Sequence, residues 1–365
     1  MLSDIDLREI TEMTGPDRAF LTLYLSSRQS LRSLEHRIRD AEKLVADNAS
    51  EGEYLSENIK LIRKYLDEHE KFKDGLCLFA CWALDYFRAE EVKVPLPDML
   101  AVDSSFYIRP LAELQDEYEN YVVVIADNKK ARIDFVTSAR AETEDQIRGN
   151  IKNHVRKGGW SQQRYERRRD KQLHHYAKEI SEQLKRLNDK EKFERIIMVG
   201  SSETLLEIQK TLPANIASKV VGTKALNIGG DENILEKEIL DLYEEAERQS
   251  EQSLWRRIQN EYLRHGLAVV GAEKVAKAAK QGRVEVAVVN RNAKLAGRRC
   301  RRCENLFAGL SQSCPNCSST SVFEVDLVNE ISELLVLSGA TIEFVDPIPE
   351  LKEVGEVAAL LRYKA

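Results

Sequence analysis

Short apolar runs recur along this chain, and charged stretches with helical spacing separate them. Phe20-Leu21-Thr22-Leu23-Tyr24-Leu25, Leu76-Cys77-Leu78-Phe79-Ala80-Cys81 and Val284-Glu285-Val286-Ala287-Val288-Val289 are of this kind. Their length and β-prone composition read as strands. Between the first two, Leu55, Ile59, Ile62 and Leu66 repeat at helical intervals. Strands alternating with helices favour an α/β layer structure.

The chain has 365 residues, enough for two or three domains that each bury a core. With 42% hydrophobic and 32% charged residues it has the composition of a globular protein rather than a disordered one. No apolar run approaches the roughly 20 residues of a membrane span. The opening Met1-Leu2-Ser3-Asp4 carries no cationic stretch leading into an apolar one, so a cytoplasmic location is expected. The six cysteines are two singles, Cys77 and Cys81, and a paired quartet near the end. That usage argues for a reducing compartment and against a disulfide framework. On or beside a strand, Cys77 and Cys81 read as core residues.

Tyr121 to Ala126 and Ala131 to Val136 flank Asp127-Asn128-Lys129-Lys130, the pattern of a hairpin. A helix is expected from about Gln163 to Leu187, a buried strand over Phe193 to Gly200 and a helix over Ser201 to Leu212. Gly200-Ser201-Ser202 between the last two reads first as a helix cap, with phosphate binding as the alternative. A charged helix containing Trp255 spans about Glu232 to Arg264. Beyond it come a helix over Ala272 to Gln281, the strand at Val284, a helix near Ile331, and strands over Ala340 to Val345 and Val357 to Tyr363. Domain boundaries are expected at 1–117, 118–245 and 246–365.

One stretch departs from the charge of the rest. Between Arg148 and Lys171 nine Lys/Arg face two acids, in a chain whose net charge is −6. A patch of opposite sign to its own molecule points to a strongly anionic partner. Within it, Gly158-Gly159 opens backbone angles closed to other residues and lets the main chain approach a target. Gln162 supplies a non-titrating amide that both donates and accepts. Such a loop can orient a water and stabilise a developing oxyanion, but it contains no strong general base. Trp160, an aromatic among polar residues, suits stacking on a base or anchoring the loop to its own domain. His174 and His175, with no partner motif, read as solvated or half-buried.

Gly158-Gly159-Trp160-Ser161-Gln162-Gln163-Arg164-Tyr165-Glu166-Arg167 resembles the central-domain loop of the archaeal and eukaryotic class-I peptide chain release factors. Those factors hydrolyse peptidyl-tRNA with a Gly-Gly-Gln loop. Trp160 stands where that family has its glutamine, whereas Gly159-Trp160-Ser161-Gln162 fits the Gly-x-x-Gln form of divergent relatives, including tRNA-releasing factors of ribosome quality control. The resemblance therefore implies Gly158, Gly159 and Gln162 as catalytic, with Arg156, Lys157, Trp160, Arg164, Arg167, Arg168 and Arg169 on RNA. The ending Gly355-Glu356-Val357-Ala358-Ala359-Leu360-Leu361-Arg362-Tyr363 is similar to the family's C-terminal domain. The implied fold is α/β, a three-domain release-factor-like architecture in which each domain is a mixed sheet with helices. Decoding motifs are missing: Asn58-Ile59-Lys60 is followed by Leu61 inside a helical pattern, so the first domain, 1–117, is expected not to read stop codons.

Cys300-x2-Cys303-x10-Cys314-x2-Cys317 is the second specific motif. Two such knuckles close a tetrahedral Zn2+ site with no position open to substrate, so one structural zinc per chain is expected. Arg298, Arg299, Arg301 and Arg302 nearby would favour thiolates. Archaeal release factors carry a similar zinc insertion, here at about 298–320.

These features imply a ribosome-associated peptidyl-tRNA hydrolase that acts without a stop codon, in ribosome rescue. Its implied partners are the ribosome and peptidyl-tRNA, with a translational GTPase or a ribosome-recycling ATPase, no membrane, and a monomeric state. Cleavage near the tRNA 3′ end is a second enzymatic reading. A non-catalytic ribosome-binding or splitting factor, with Trp160 as a disabling replacement, is a third. A basic helix without an RNA partner is the plainest alternative.

Overall fold

A computed structural model of the chain describes residues 5–15, 17–69, 72, 75–137, 140–148, 160–191, 193–228, 232–309 and 311–364. The chain folds into two compact units, one made of Met1–Glu117 with Leu254–Ala365 and the other of Tyr118–Ser253. It is a mixed α/β protein with several sheets. Among the described residues no helix is long and apolar enough to cross a membrane.

The N-terminal segment of the first unit runs α1 (Leu7–Thr11), β1 (Phe20–Leu25), α2 (Leu34–Val45), α3 (Ala49–Glu68), β2 (Gly75–Cys81), β3 (Tyr86–Val92), β4 (Met99–Asp103) and α4 (Arg109–Glu117). Its sheet has the order β3-β2-β1-β4 and every pairing is antiparallel. The sheet is thus not mixed, a correction with a simple cause. Two consecutive helices, α2 and α3, bring the chain back to the end of the sheet it left, so β2 runs against β1; a single crossover helix would have made the pair parallel. Leu21, Leu23, Leu25, Leu76, Leu78 and Ala80 alternate onto one face against Ile38, Val45, Leu55, Ile59 and Ile62 of the helices. Cys77 and Cys81 are fully buried on β2, and burial pushes both thiols up, as suits core residues. Asn58 lies inside α3 and is itself buried; its amide donates to the Ala19 carbonyl and accepts from the Trp82 N–H. The tripeptide containing it is a structural fastener in a helix.

The second unit contains β5 (Tyr121–Ala126), β6 (Lys130–Thr137), β7 (Arg140–Arg148), α5 (Trp160–Lys190), β8 (Arg195–Gly200), α6 (Ser202–Thr211), α7 (Ala214–Ala217), β9 (Val220–Ala225) and most of α8 (Glu232–Leu263). Its five-stranded sheet has the order β7-β6-β5-β8-β9, with β5, β8 and β9 parallel and β6 and β7 antiparallel. The hairpin turn is set by Asp127, whose carboxylate accepts from the N–H groups of Lys129 and Lys130 at 2.7 and 2.8 Å. Leu173, Tyr176, Ala177, Ile180, Leu184 and Leu187 recur at helical spacing and seat α5 on one face of the sheet beside α6. Tyr243 of α8 packs on the other face with Val123, Ile125, Ile197 and Val199.

At the end of β8, Gly200 holds φ +142°, and a Cβ there would lie 1.8 Å from the Ala126 carbonyl oxygen. Gly200→Ala is therefore expected to destabilise the protein by about 3 kcal/mol, combining a forbidden backbone angle with a backbone clash; urea denaturation checks this. The following Ser201 is the N-cap of α6, its hydroxyl accepting from the Thr204 N–H. That is the capping role rather than a phosphate cradle.

The C-terminal segment of the first unit adds β10 (Ala268–Val270), α9 (Ala272–Lys280), β11 (Val284–Asn290), β12 (Ala296–Cys300), β13 (Leu306–Ala308), β14 (Val322–Asp326), α10 (Leu327–Leu337), β15 (Thr341–Val345), α11 (Pro349–Glu353) and β16 (Val357–Leu361). One sheet has the order β10-β16-β11-β15, and the cysteine motif sits on a separate three-stranded sheet, β13-β12-β14. Helix α10 ties this segment to the N-terminal one through polar groups. Asn329 accepts from the N–H groups of Ile108 and Arg109, Ser105 donates to Glu333 at 2.8 Å, and Tyr107 donates to Asp326 at 2.7 Å. The buried Arg109 guanidinium reaches the Ala293 carbonyl at 2.7 Å.

Candidate functional site

The cationic stretch enters the second unit between β7, which ends at Arg148, and α5, which begins at Trp160. Arg156, Lys157, Gly158 and Gly159 lie outside the described residues. Trp160 and Gln162, expected in a loop, stand instead in the first turn of α5. The reason is propensity: after the glycine pair the run Ser161-Gln162-Gln163-Arg164-Tyr165-Glu166 contains no breaker, and its Gln, Arg and Glu are good helix formers. First-turn N–H groups have no acceptor within their own helix, and they lie at its positive end. A glutamine there is in a favourable field for an anionic or carbonyl oxygen.

Further along α5, Arg164, Arg167 and Arg168 are exposed. Arg169 turns to α6 instead, where its guanidinium pairs with Glu203, so its charge is already matched. One turn later His174 Nδ1 lies 2.9 Å from the Glu207 carboxylate, and with Lys210 it holds that carboxyl below its usual range. Both His174 and His175 are exposed, in keeping with the reading of solvated side chains. Glu203 and Glu207 both sit on the buried-to-exposed margin of an amphipathic helix, and nothing in their spacing singled them out as partners of α5.

The four cysteines meet. Their sulfurs lie within 4.8 Å of one another, with Cys300 and Cys317 at 3.6 Å and Cys303 and Cys314 at 3.5 Å. Metal–sulfur bonds of about 2.3 Å in a tetrahedron place sulfurs about 3.8 Å apart, so this geometry could hold one metal ion. Cys300 and Cys314 are buried beside Phe307, and Cys303 and Cys317 are half-buried. The Cys303 thiol is pulled down to about 6 by the Asn305 backbone N–H and then the Asn316 amide. Three of the four neighbouring arginines expected to do this pair with acids instead: Arg298 with Glu324, Arg299 with Glu330, and Arg301 with Asp17 and Glu51. On β12 only Arg299 is turned to the face opposite Cys300 by alternation.

The most perturbed acids form a third cluster that the sequence reading missed. Burial pushes Asp103 up to about 6 and Glu330 to about 7, and burial with the charge of Glu330 raises Glu333 well above the usual range. Arg299 Nη1 lies 3.4 Å from Glu330, while Asn329 and Ser105 donate to Glu333. The signal available was Asn329-Glu330 and Glu333 interrupting the apolar Leu327-to-Leu337 helix.

Residues 107–248 match the family described as bacterial archaeo-eukaryotic release factor family 10. The chain is 25% identical over 392 residues to peptide chain release factor subunit 1 of Archaeoglobus fulgidus, covering 98% of this chain and 96% of that one. It is 24% identical over 410 residues to the protein of the same name from Thermococcus onnurineus, again covering 98% and 96%. Among solved structures it is similar to an archaeal translation termination factor, at 16% identity, TM-score 0.26 and coverage of 98% and 96%. It is also similar to Archaeoglobus fulgidus Pelota, at 15% identity, TM-score 0.33 and coverage of 76% of each chain. Over nearly its whole length the chain is thus similar to archaeal peptide chain release factors, and its central residues match a release-factor family model.

Proposed function

We propose that this protein is a ribosome-associated factor that hydrolyses the peptidyl-tRNA ester in the peptidyl transferase centre without reading a stop codon, in rescue of stalled ribosomes. The observation that carries this reading is the likeness to peptide chain release factors over 98% of the chain, together with a Gly-x-x-Gln stretch that resembles their catalytic loop. Gly158 and Gly159 let the main chain enter an RNA-walled site. Gln162 orients a water, or the terminal ribose of the tRNA, at the ester carbonyl. Arg156, Lys157, Arg164, Arg167 and Arg168 neutralise phosphates, giving salt-sensitive binding. Arg169 contributes less to that field because Glu203 already matches it.

The chain divides into an N-terminal domain over 1–117, the loop-bearing domain over 118–245 and a C-terminal domain over 246–365. The quartet Cys300, Cys303, Cys314 and Cys317 holds one zinc ion in a purely structural role. The second reading, a ribosome-binding factor without hydrolysis, is favoured by Trp160 standing where the family has its glutamine. Adding the purified protein to stalled ribosome–nascent-chain complexes tests both. Released peptide with an intact tRNA 3′ terminus is expected. A shortened terminus would assign nuclease activity, and retained binding with neither product would assign the non-catalytic role.

A further inference from the structure

Arg301 stands inside the first cysteine knuckle, between Cys300 and Cys303, yet its side chain leaves the knuckle altogether. Nη1 donates to Asp17 at 2.8 Å and Nη2 to Glu51 at 2.6 Å. Both acceptors belong to the N-terminal segment, and Glu51 lies 250 positions away in sequence. The Glu51 side chain is only 3% exposed, and its other donor is the Arg18 N–H at 3.3 Å. Arg301 also lies over the Phe323 ring of β14 at 4.8 Å, with Arg18 5.5 Å from the same ring. Arg18 in turn donates to the Glu324 carbonyl. The knuckle is therefore joined to the N-terminal segment by a buried ion pair flanked by a shared aromatic ring.

That joint depends on the shape of the knuckle. Its own core is Cys300, Phe307 and Cys314, and β13 has only three residues. A core this small does not hold a fold without a staple. If the knuckle loosens, Arg301 moves and leaves Glu51 a buried carboxylate without its cation, an arrangement that is strongly disfavoured.

The geometry points to a coupling in which filling the four-cysteine site with a thiolate-seeking divalent ion fastens the N-terminal segment to the C-terminal one through Arg301 and Glu51. This rests on the zinc reading above. Coupling between two binding events is reciprocal. A change at Glu51, which is no metal ligand, must therefore weaken the hold on the ion by the factor by which the ion strengthens docking.

The full-length chain is stripped of metal and titrated with Zn2+ against a chromogenic chelator. Glu51→Gln is expected to bind Zn2+ about tenfold more weakly than the wild type. Glu324→Gln, which removes only an exposed partner of Arg298, is expected to bind as the wild type does. In parallel, amide hydrogen exchange of the wild type is compared with and without Zn2+. Removal of the ion should speed exchange at the Arg18 amide and the first turn of α3, and this readout stands even if Glu51→Gln fails to fold. Unchanged Zn2+ affinity in a folded Glu51→Gln protein, or unchanged exchange at Arg18 and α3 on metal removal, overturns the coupling and leaves the zinc reading intact. A wild type that takes up no Zn2+ overturns both.

Discussion

Gln162→Ala should lower the rate of peptide release from stalled ribosomes by about 10²–10³-fold, the usual cost of removing one group that stabilises a developing oxyanion. Ribosome binding should be unchanged, because in the proposed reading the cations around that residue, and not its amide, neutralise phosphates. Arg167→Ala and Arg168→Ala form the contrasting pair. Both side chains are exposed, so each substitution should weaken binding and flatten its salt dependence by about one unit of slope if it removes one phosphate contact. Single-turnover release at saturating protein separates the two classes. A Gln162→Ala protein that releases peptide at the wild-type rate would remove that residue from catalysis.

The second large effect is an unusual dependence of stability on pH. Glu330 has its folded value raised to about 7 from an ordinary 4.5, chiefly by burial. A carboxyl with a raised folded pKa favours the folded state in its protonated form. Its contribution is complete below pH 4.5 and is lost as the pH climbs towards 7. For Glu330 alone the shift corresponds to about 3 kcal/mol. Asp103, raised to about 6, and Glu333, raised further by the charge of Glu330, act in the same direction. The Arg299 guanidinium opposes all three. Glu333→Gln keeps an oxygen to accept from Ser105 and Asn329 but cannot ionise. It should match the wild type in urea denaturation at pH 4, below the unfolded value of 4.5, and exceed it at pH 8. A variant less stable than the wild type at pH 8 would show that the ionised carboxylate is an asset rather than a cost.

Much of the secondary structure was legible because it depends on local chemistry. The period of two in Leu21, Leu23 and Leu25 and the helical spacing of Leu55, Ile59 and Ile62 follow from which face must meet the core. The hairpin at Asp127 follows from a carboxylate that satisfies its own turn. The cysteine quartet was readable as a set because each knuckle is a local turn. The sense of the first sheet was not readable, since it depended on whether one helix or two joined β1 to β2. The start of α5 was misplaced by three residues for a related reason: the glycine pair suggested a longer loop than helix propensity allowed.

Residue types and their spacing along the chain thus settled the α/β layers, the paired cysteines and the concentration of positive charge around Gly158 and Gly159, because each is a property of neighbours in sequence. Folding alone settled which charges remain exposed. Arg167 stays in solvent while Arg169 is matched by Glu203. Arg301 abandons the thiols beside it for Asp17 and Glu51. Glu330 and Glu333 are buried, and the half-buried Asp103, from a segment more than 200 residues away, lies close enough to raise both. Long-range pairing of charges is a matter of which surfaces close on each other, and Coulomb energy and desolvation act on that distance rather than on separation along the chain.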